Sequence, residues 1–176
     1  MGKIQTPSQV MLFITITYAI DAPLDNLLNV LITHFNEILL KSDIFKFDEY
    51  SKYYQKEMGS NLLKCIFLFD YRMPPNRLTI IKRYTNYIEL AFARQAGTYP
   101  SRILNLDPGF ICNDKVVLAT TKDFGHRIYT GHGIYQEVTL RYYHKQFVAN
   151  SWTYPDYSSD LAMDFFLKSR KIFRKK

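Results

Sequence analysis

Side chains able to do chemistry are concentrated between Arg102 and Tyr157, where polar loops alternate with short β-branched and aromatic runs. The loop TTKDFGH places hydroxyl groups beside Lys122 and His126, and this composition suits a phosphate or another anion. His126 or the later Glu137 would serve as a general base if the protein is an enzyme. The segment therefore indicates either an anion-binding site or an acid–base site.

The register of the hairpin around the turn sequence GHG decides which of these side chains meet. A two-residue loop would put His126 opposite Glu137. A three-residue loop would instead put Arg127 opposite Glu137 and Tyr129 opposite Tyr135. We expect the second register, because it separates apolar from polar side chains better.

In that register the two faces of the hairpin differ in polarity. The apolar face carries Ile128, Val138 and Leu140, and the polar face carries Arg127, Tyr129, Tyr135, Glu137, Thr139 and Arg141. The Arg127–Glu137 pair is then either an ordinary ion pair on an exposed sheet or a fixed arginine that recognises phosphate or carboxylate. His126 would face the core, which leaves Glu137 as the base of an enzymatic reaction.

Three further candidates lie in loops. Asp107 belongs to LDPGF, where Pro108-Gly109 predicts a turn after a strand, and its carboxylate would bond its own backbone or bind a ligand hydroxyl or a metal. Tyr54 and Glu57 belong to YYQKEMGS, whose rings would cover a ligand or stack on a base, although a charged pair there is often only surface. The spacing of the candidate ligands matches no standard metal signature, so we predict no bound metal.

The composition is that of a folded globular chain. The chain has 176 residues, of which 47% are hydrophobic and 22% charged, and this length predicts a single domain spanning residues 1–176. It contains 14 Tyr and 13 Phe, a surplus of rings that can line a binding face as well as a core.

The net charge of +7 favours anionic partners such as nucleotides or RNA. Six of the 23 basic residues lie in the C-terminal run from Lys168 to Lys176, where they can also be a solvated helix end. The sequence has no G-x-x-x-x-G-K-[ST] loop, so a nucleotide site would not be of the Walker type.

The cysteine pattern and hydropathy indicate the compartment. Cys65 and Cys112 lie in apolar, strand-like runs without CxxC spacing, which favours reduced thiols in a cytosolic protein. No apolar run is long enough to cross a bilayer, so we expect no membrane partner. No cofactor and no oligomeric state is indicated.

The elements that carry these residues follow a recognisable order. Those predicted in the first half are a strand Val10–Tyr18, a helix from Asp21-Ala22-Pro23 to near Lys41, a strand Ile44–Phe47, a strand Leu62–Tyr71, and a helix that begins at Pro74-Pro75-Asn76 and ends by Gly97. Those predicted in the second half are strands Arg102–Leu106, Val116–Thr120, Arg127–Thr130, Ile134–Tyr143 and Phe147–Trp152, then a helix that opens near Ser158-Ser159. The pattern predicts an α+β fold.

In more detail, we expect a ferredoxin-like β-α-β-β-α-β start that an antiparallel β-meander extends. The helices would lie on one face of the sheet, and a C-terminal helix would follow. The rings of WTYPDY at the end of the meander would pack across an end of the sheet or wall a pocket.

Several blocks of this sequence, in order, resemble a bacterial family known only as domain of unknown function 4416. The matching blocks are YYQKEMGS, LNLDPGF, LATTKDFGHRIY, GIYQEVTL and WTYPDY, and together they span nearly the whole chain. Some relatives are described as GTP-binding proteins. The resemblance implies no catalytic residues.

Three functional hypotheses follow. The first is a cytosolic protein whose polar sheet face binds a phosphorylated ligand, a nucleotide or RNA, through Lys122, Arg127 and nearby tyrosines. The second is a hydrolase or transferase acting on a phosphorylated metabolite, with His126 or Glu137 as base. The third is a protein-interaction module whose exposed rings meet a partner.

Overall fold

The sheet is built around β1, Val10–Tyr18, and all nine residues of this strand are buried. The computed structural model describes residues 2–96 and 99–175. β1 pairs antiparallel with β4, Leu63–Met73, on one side and with β7, Leu104–Ile111, on the other. An almost uninterrupted run of β-branched and aromatic residues suits a strand that is covered on both faces, and the predicted bounds of β1 are confirmed.

The other strands extend this core outward. They are β2 Ile38–Lys41, β3 Phe45–Lys46, β8 Lys115–Thr120, β9 Ile128–Gly131, β10 Ile134–Tyr143 and β11 Gln146–Ala149. The sheet order is β11-β10-β8-β7-β1-β4-β2, with β3 on β4 and β9 on β10. A separate two-stranded sheet pairs β5, Arg94–Ala96, with β6, Tyr99–Ser101. The α+β class and the antiparallel meander after β7 are confirmed.

Helices cover both faces of the sheet. The helices are α1 Leu24–Phe35, α2 Gln55–Met58, α3 Leu78–Ala91 and α4 Asp160–Lys175. Buried residues of α1 and α3 pack with Leu12 and Ile14, whereas Phe165 and Phe166 of α4 pack with Phe13 from the opposite face. The prediction that the helices share one face is wrong, because alternate side chains of a doubly apolar strand need cover on each side.

The first helix is shorter than its periodicity suggested. The apolar pattern predicted helix as far as Lys41, but α1 ends at Phe35 and Asn36 takes a φ of 63°. A positive φ is incompatible with a right-handed helix, so the helix cannot continue through Asn36. Ile38 and the residues after it then pair with β4 as β2, so the predicted extension of the helix is wrong.

The second long helix ends before Gly97, as predicted. α3 ends at Ala91, and Arg94–Ala96 forms a strand. Gly97 itself, the predicted limit of the helix, lies outside the described residues.

Pro108 and Gly109 lie inside a strand and make no turn there. β7 continues through both residues, and the pairing of β7 with β8 begins at Gly109. A Cβ atom on Gly109 would lie 2.3 Å from Cζ of Phe13 and 2.5 Å from the carbonyl oxygen of Val117. Gly109 is therefore required by close packing, and the predicted turn is wrong.

The hairpin register agrees with the prediction beyond its turn. Tyr135 lies opposite Tyr129, as the three-residue loop required. Closer to the turn, Ile134 pairs with Gly131, and an irregularity separates the two pairs. A tight turn plus one bulged residue thus produces the expected register.

Candidate functional site

The sheet face that α4 covers changes from apolar to polar along its strands. Its apolar half is formed by Met11, Phe13, Ile66, Leu68, Ile111, Val116 and Leu118, which pack with α4. Further along the same face, β4, β1 and β7 present the neighbouring residues Lys64, Thr17 and Asn105. Loops rather than a helix surround this polar half in the described part of the chain.

A cleft of about 640 Å³ lies over this polar half. Its walls come from residues 47–54, 120–127 and 151–157, and its floor includes Lys64 and Asp107. Eight aromatic side chains line it: Phe47, Tyr50, Tyr53, Tyr54, Phe124, Trp152, Tyr154 and Tyr157. The aromatic surplus of the sequence is thus partly concentrated at one site.

A buried ion pair joins the floor to one wall. Nζ of Lys64 donates to Oδ2 of Asp156 over 2.5 Å, and the two side chains are 4% and 5% exposed. The ammonium also lies 5.1 Å from the ring centre of Phe47 and 4.7 Å from that of Tyr157. Because its charge is neutralised and enclosed by rings, Lys64 fixes the wall to the floor.

Tyr157 provides a second tie between the same wall and the sheet. Its hydroxyl shares a 2.6 Å hydrogen bond with Oγ1 of Thr15. Burial raises the pKa of the Tyr157 hydroxyl well above its ordinary value. The phenol therefore stays neutral and structural at physiological pH.

A second buried carboxylate organises the opposite wall. Oε2 of Glu137 accepts a hydrogen bond from Nε of Arg127 over 2.8 Å and lies 3.1 Å from Nε2 of His126. The ring of His126 stacks on Trp152, with the centroids 5.2 Å apart and the planes 12° from parallel. Glu137 thus holds a cation and an imidazole in fixed positions at the cleft.

Arg127 is committed to contacts within the protein. Its Nη1 donates to the carbonyl of Lys122 and its Nη2 to the hydroxyl of Tyr154, at 3.1 and 2.8 Å. Burial alone would lower the pKa of Arg127, but its hydrogen bonds to Glu137 and Tyr154 outweigh burial and raise it. The guanidinium is always charged, and only 5% of its side chain is exposed.

The hairpin faces differ from the sequence prediction. Glu137 and Thr139 were expected on the polar face, but both are buried, whereas Ile128 was expected on the apolar face and is 72% exposed. A bulge between Val138 and Leu140 interrupts the alternation of β10, so that consecutive residues turn inward. His126 contacts Glu137 in the lining of the cleft and does not pack into the apolar core.

Asp107 occupies the floor of the cleft and belongs to the first half of β7. Its Oδ2 accepts a 2.7 Å hydrogen bond from Nδ2 of Asn105, and its Oδ1 lies 3.4 Å from Nζ of Lys82. About a quarter of the side chain, 26%, is exposed. Asp107 is therefore an oriented carboxylate that a ligand can reach.

A network of charged groups around Arg102 lies close to Asp107. Arg102 forms a bidentate pair with Glu57 and also donates to Glu89 over 2.7 Å. Glu89 accepts the backbone N–H of Leu106 as well, at 2.7 Å. The network connects α2 and α3 to the start of β7 and places the guanidinium of Arg102 over the ring of Tyr54.

The ionisation of this network reflects its burial and its ion pairs. Burial raises the pKa of Glu89 despite the nearby cation of Lys82. The hydrogen bonds that Arg102 donates to Glu57 raise the pKa of Arg102 and lower the pKa of the Glu57 carboxyl. Burial also raises the pKa of Tyr54, so its hydroxyl is neutral at physiological pH.

Lys122 is exposed at the rim of the cleft. Its Nζ donates to the hydroxyl of Tyr53 over 2.6 Å and lies 3.9 Å from the centre of that ring. Its hydrogen-bond partner is a phenol and not a carboxylate, so this contact provides no counter-ion for the ammonium.

The structure brings together most of the predicted site residues. Six line the cleft: Tyr54, Asp107, Lys122, His126, Arg127 and Glu137. Glu57 is engaged by Arg102 beside it. Tyr129 and Tyr135 contact each other on the outer hairpin, with ring centres 5.3 Å apart, and are not among the cleft residues of the described chain.

Sequence reasoning missed the buried charges. Lys64, Lys82, Glu89 and Asp156 were not predicted as site residues, yet each lies at a cavity wall or floor. A lysine inside the apolar run LLKCIFLFDY was a usable signal, because a buried lysine needs a partner.

Neither a metal cluster nor a membrane-spanning helix is found among the described residues. Residues 2–96 and 99–175 contain no group of three or more His, Cys, Asp or Glu that could hold a metal ion. Within the same part of the chain, no helix has the length and apolar character needed to span a bilayer.

Fold and site together define an α+β protein with a large antiparallel sheet and an aromatic cleft over the sheet's polar half. The family model described as Domain of unknown function (DUF4416) matches residues 8–173, and the chain belongs to this family. No curated protein and no solved structure matches the chain.

Proposed function

We propose that the protein binds a nucleotide, either free or within an RNA element, with the base stacked in the aromatic cleft. The observation that carries the proposal is the concentration of eight aromatic rings around one cleft of about 640 Å³. Small-molecule sites commonly measure about 300–1,000 Å³. Stacking of a base on an aromatic ring contributes about 1–3 kcal/mol per base.

The charges of the cleft favour recognition of the base over tight capture of a phosphate. Lys64 and Arg127 are each neutralised by a buried carboxylate. Lys122 is exposed and is paired with a phenol, so it is the cation best placed to meet a phosphate at the rim. Arg127, which the sequence suggested as an anion ligand, acts in this proposal by fixing Tyr154 and the loop that carries Lys122.

The proposal is tested by thermal shift with the four ribonucleoside 5′-monophosphates and a short single-stranded RNA. A ligand that binds the native state raises the unfolding temperature by mass action. The informative variant is Phe124→Ala, since this ring is 68% exposed in the cleft, and the matched control is Tyr143→Ala, whose ring is 64% exposed and does not line the cleft.

Phe124→Ala should weaken binding about 5- to 150-fold, which corresponds to about 1–3 kcal/mol of lost stacking. Tyr143→Ala should leave affinity unchanged. The proposal is wrong if none of these ligands shifts the unfolding temperature, or if both variants weaken binding equally.

A second candidate function is catalysis, and one contact favours it. Nε2 of His126 lies 3.1 Å from the buried carboxylate of Glu137 at the cleft wall. A carboxylate that orients an imidazole is a common arrangement for general acid–base chemistry. The corresponding activity would be a hydrolase or transferase acting on a phosphorylated metabolite.

This alternative makes a different prediction for His126→Gln. The variant should retain ligand affinity but lose turnover, because glutamine preserves polarity and cannot act as a base. Incubation with phosphorylated metabolites, followed by phosphate release and mass spectrometry, measures the turnover. Equal turnover in the variant and the wild type would exclude His126 as the base.

We also propose that the first half of the fold is a ferredoxin-like unit. The support is the antiparallel order β7-β1-β4-β2, together with α1 and α3 on the same face. An experimental structure with a different order for these strands would overturn the classification.

A further inference from the structure

A second cavity of about 330 Å³ adjoins the aromatic cleft. Four residues line both spaces: Tyr54, Asp107, Thr120 and Lys122. The second cavity continues toward α3, where Lys82 and Asn86 contribute to its wall. A ligand in the cleft can therefore extend past Asp107 into a chemically different space.

The cavity opens where two strands separate. The pairing of β7 with β8 runs from Ile111 and Val116 to Gly109 and Leu118 and then stops. The next residues on the same face, Asp107 and Thr120, are not paired with each other, and both border the cavity. Lys82 reaches this end of the sheet from α3 and donates to the carbonyl of Leu106 over 2.7 Å.

Donors and acceptors are mixed in this cavity. Its cations are Lys82, Arg102 and Lys122, and its carboxylates are Glu89 and Asp107. The guanidinium of Arg102 is already bonded to Glu57 and Glu89. A phosphate would meet two carboxylates here, whereas a neutral group with several hydroxyls can donate to them and accept from a lysine or an amide.

Asp107 and Lys82 can each form further hydrogen bonds with such a hydroxyl-bearing group. Among the described residues, the acceptors bonded to Nζ of Lys82 are the Leu106 carbonyl at 2.7 Å and Oδ1 of Asp107 at 3.4 Å. An ammonium has three protons, and a carboxylate has about four lone-pair sites. Asn105 occupies one site on Asp107, so the carboxylate is oriented but not saturated.

We propose that the cleft and the second cavity form one bipartite site in which Asp107 accepts hydrogen bonds from the ribose hydroxyls of a nucleotide whose base stacks among the cleft rings. Lys82 donates to the same hydroxyls from the α3 side. This inference rests on the proposed function and narrows the ligand to a ribonucleotide. In this arrangement the phosphate of the nucleotide lies at the rim of the cleft, next to Lys122.

Calorimetric titration with the four ribonucleoside 5′-monophosphates and their 2′-deoxy and 3′-deoxy analogues tests the inference. A hydrogen bond to a charged group predicts a preference of about 10- to 150-fold for at least one ribonucleotide over an analogue that lacks a hydroxyl. Equal affinity for the ribo and both deoxy forms would overturn it and would leave base stacking in place. Absence of binding by every nucleotide would overturn the proposed function and this inference together.

The variant Asp107→Asn identifies the acceptor. It keeps the shape of the side chain and should reduce the ribose preference to about threefold or less, while affinity for the deoxy analogues stays within about threefold of the wild type. The control is Asp25→Asn, an exposed aspartate on α1 outside both cavities, which should keep the full preference. An unchanged ribose preference in Asp107→Asn would contradict the assignment, and circular dichroism establishes that each variant is folded.

Discussion

Lys64 and Asp156 show how single residues hold the cleft together. Both lie in a largely apolar environment, and each neutralises the other across 2.5 Å. Removal of one partner leaves an unpaired buried charge, which is much more costly than replacement of both by apolar groups. Their role is therefore to fix residues 151–157 against the sheet.

Asp156→Leu should lower the free energy of unfolding by about 3–5 kcal/mol, because Lys64 would remain buried without its counter-ion. The double variant Lys64→Met/Asp156→Leu should recover most of this loss. Urea unfolding measures both. The control Lys168→Met breaks the exposed pair with Asp164 and should have no measurable effect; a double variant as unstable as the single one would contradict the account.

Glu57 gives the network around Arg102 a pH dependence. The hydrogen bond from Arg102 lowers the pKa of Glu57 below its ordinary value of 4.5. The ionised carboxylate is the form that the native state favours, so its stabilising effect is complete above pH 4.5 and is lost as the pH falls through the lower pKa of the folded protein.

Glu57→Gln should therefore be less stable than the wild type at pH 7, and the difference should shrink as the pH falls to about 3.5. Urea unfolding at a series of pH values measures this difference. Glu49→Gln is the control, since Glu49 is exposed in the same segment. A difference between Glu57→Gln and wild type that stays constant across this range would show that the ion pair is not responsible.

At the scale of elements, β7 links the core to the site. Gly109 allows the ring of Phe13 to pack against the strand, and two residues earlier Asp107 faces the cleft. The pairing of β7 with β8 ends between these two residues, since Gly109 is the last paired residue of β7. One strand thus combines close packing at one end with an open, polar floor at the other.

Gly109→Ala should destabilise the protein by about 1–3 kcal/mol or more, since the added methyl group would overlap Phe13 and a backbone carbonyl. Gly125→Ala is the matched control, because nothing lies within 4 Å of the position that its methyl group would take. Thermal and urea unfolding compare the two. Equal stability of the two variants would mean that β7 does not pack as described.

At the scale of the whole molecule, the sequence predicts what depends on local pattern. β1 and β10 were predicted with their observed bounds, because apolar and alternating runs are local signals. The end of α1 and the strand conformation at Gly109 were missed, since only contact with β4 and Phe13 determines them. A propensity rule contains no information about such partners.

In the candidate site, too, some residues could be identified from local sequence and others only from the fold. The loop with Lys122 and His126 and the pair Arg127–Glu137 were identified from residue type and spacing. The Lys64–Asp156 pair joins residues 92 positions apart, so only the folded topology reveals it. The position of α4 on the opposite face of the sheet was also missed, because it depends on the need to cover both faces of the central strand.

Fluorescence of Trp152, the single tryptophan of the chain, would report base stacking in the cleft without any substitution. Trp152 lines the cleft, is stacked on His126, and is 39% exposed. With excitation at the red edge of its absorption, titration with ribonucleoside 5′-monophosphates should quench its emission saturably, and ribose 5-phosphate, which lacks a base, should not. Emission that no nucleotide changes, or that ribose 5-phosphate changes equally, would contradict base stacking in the aromatic cleft.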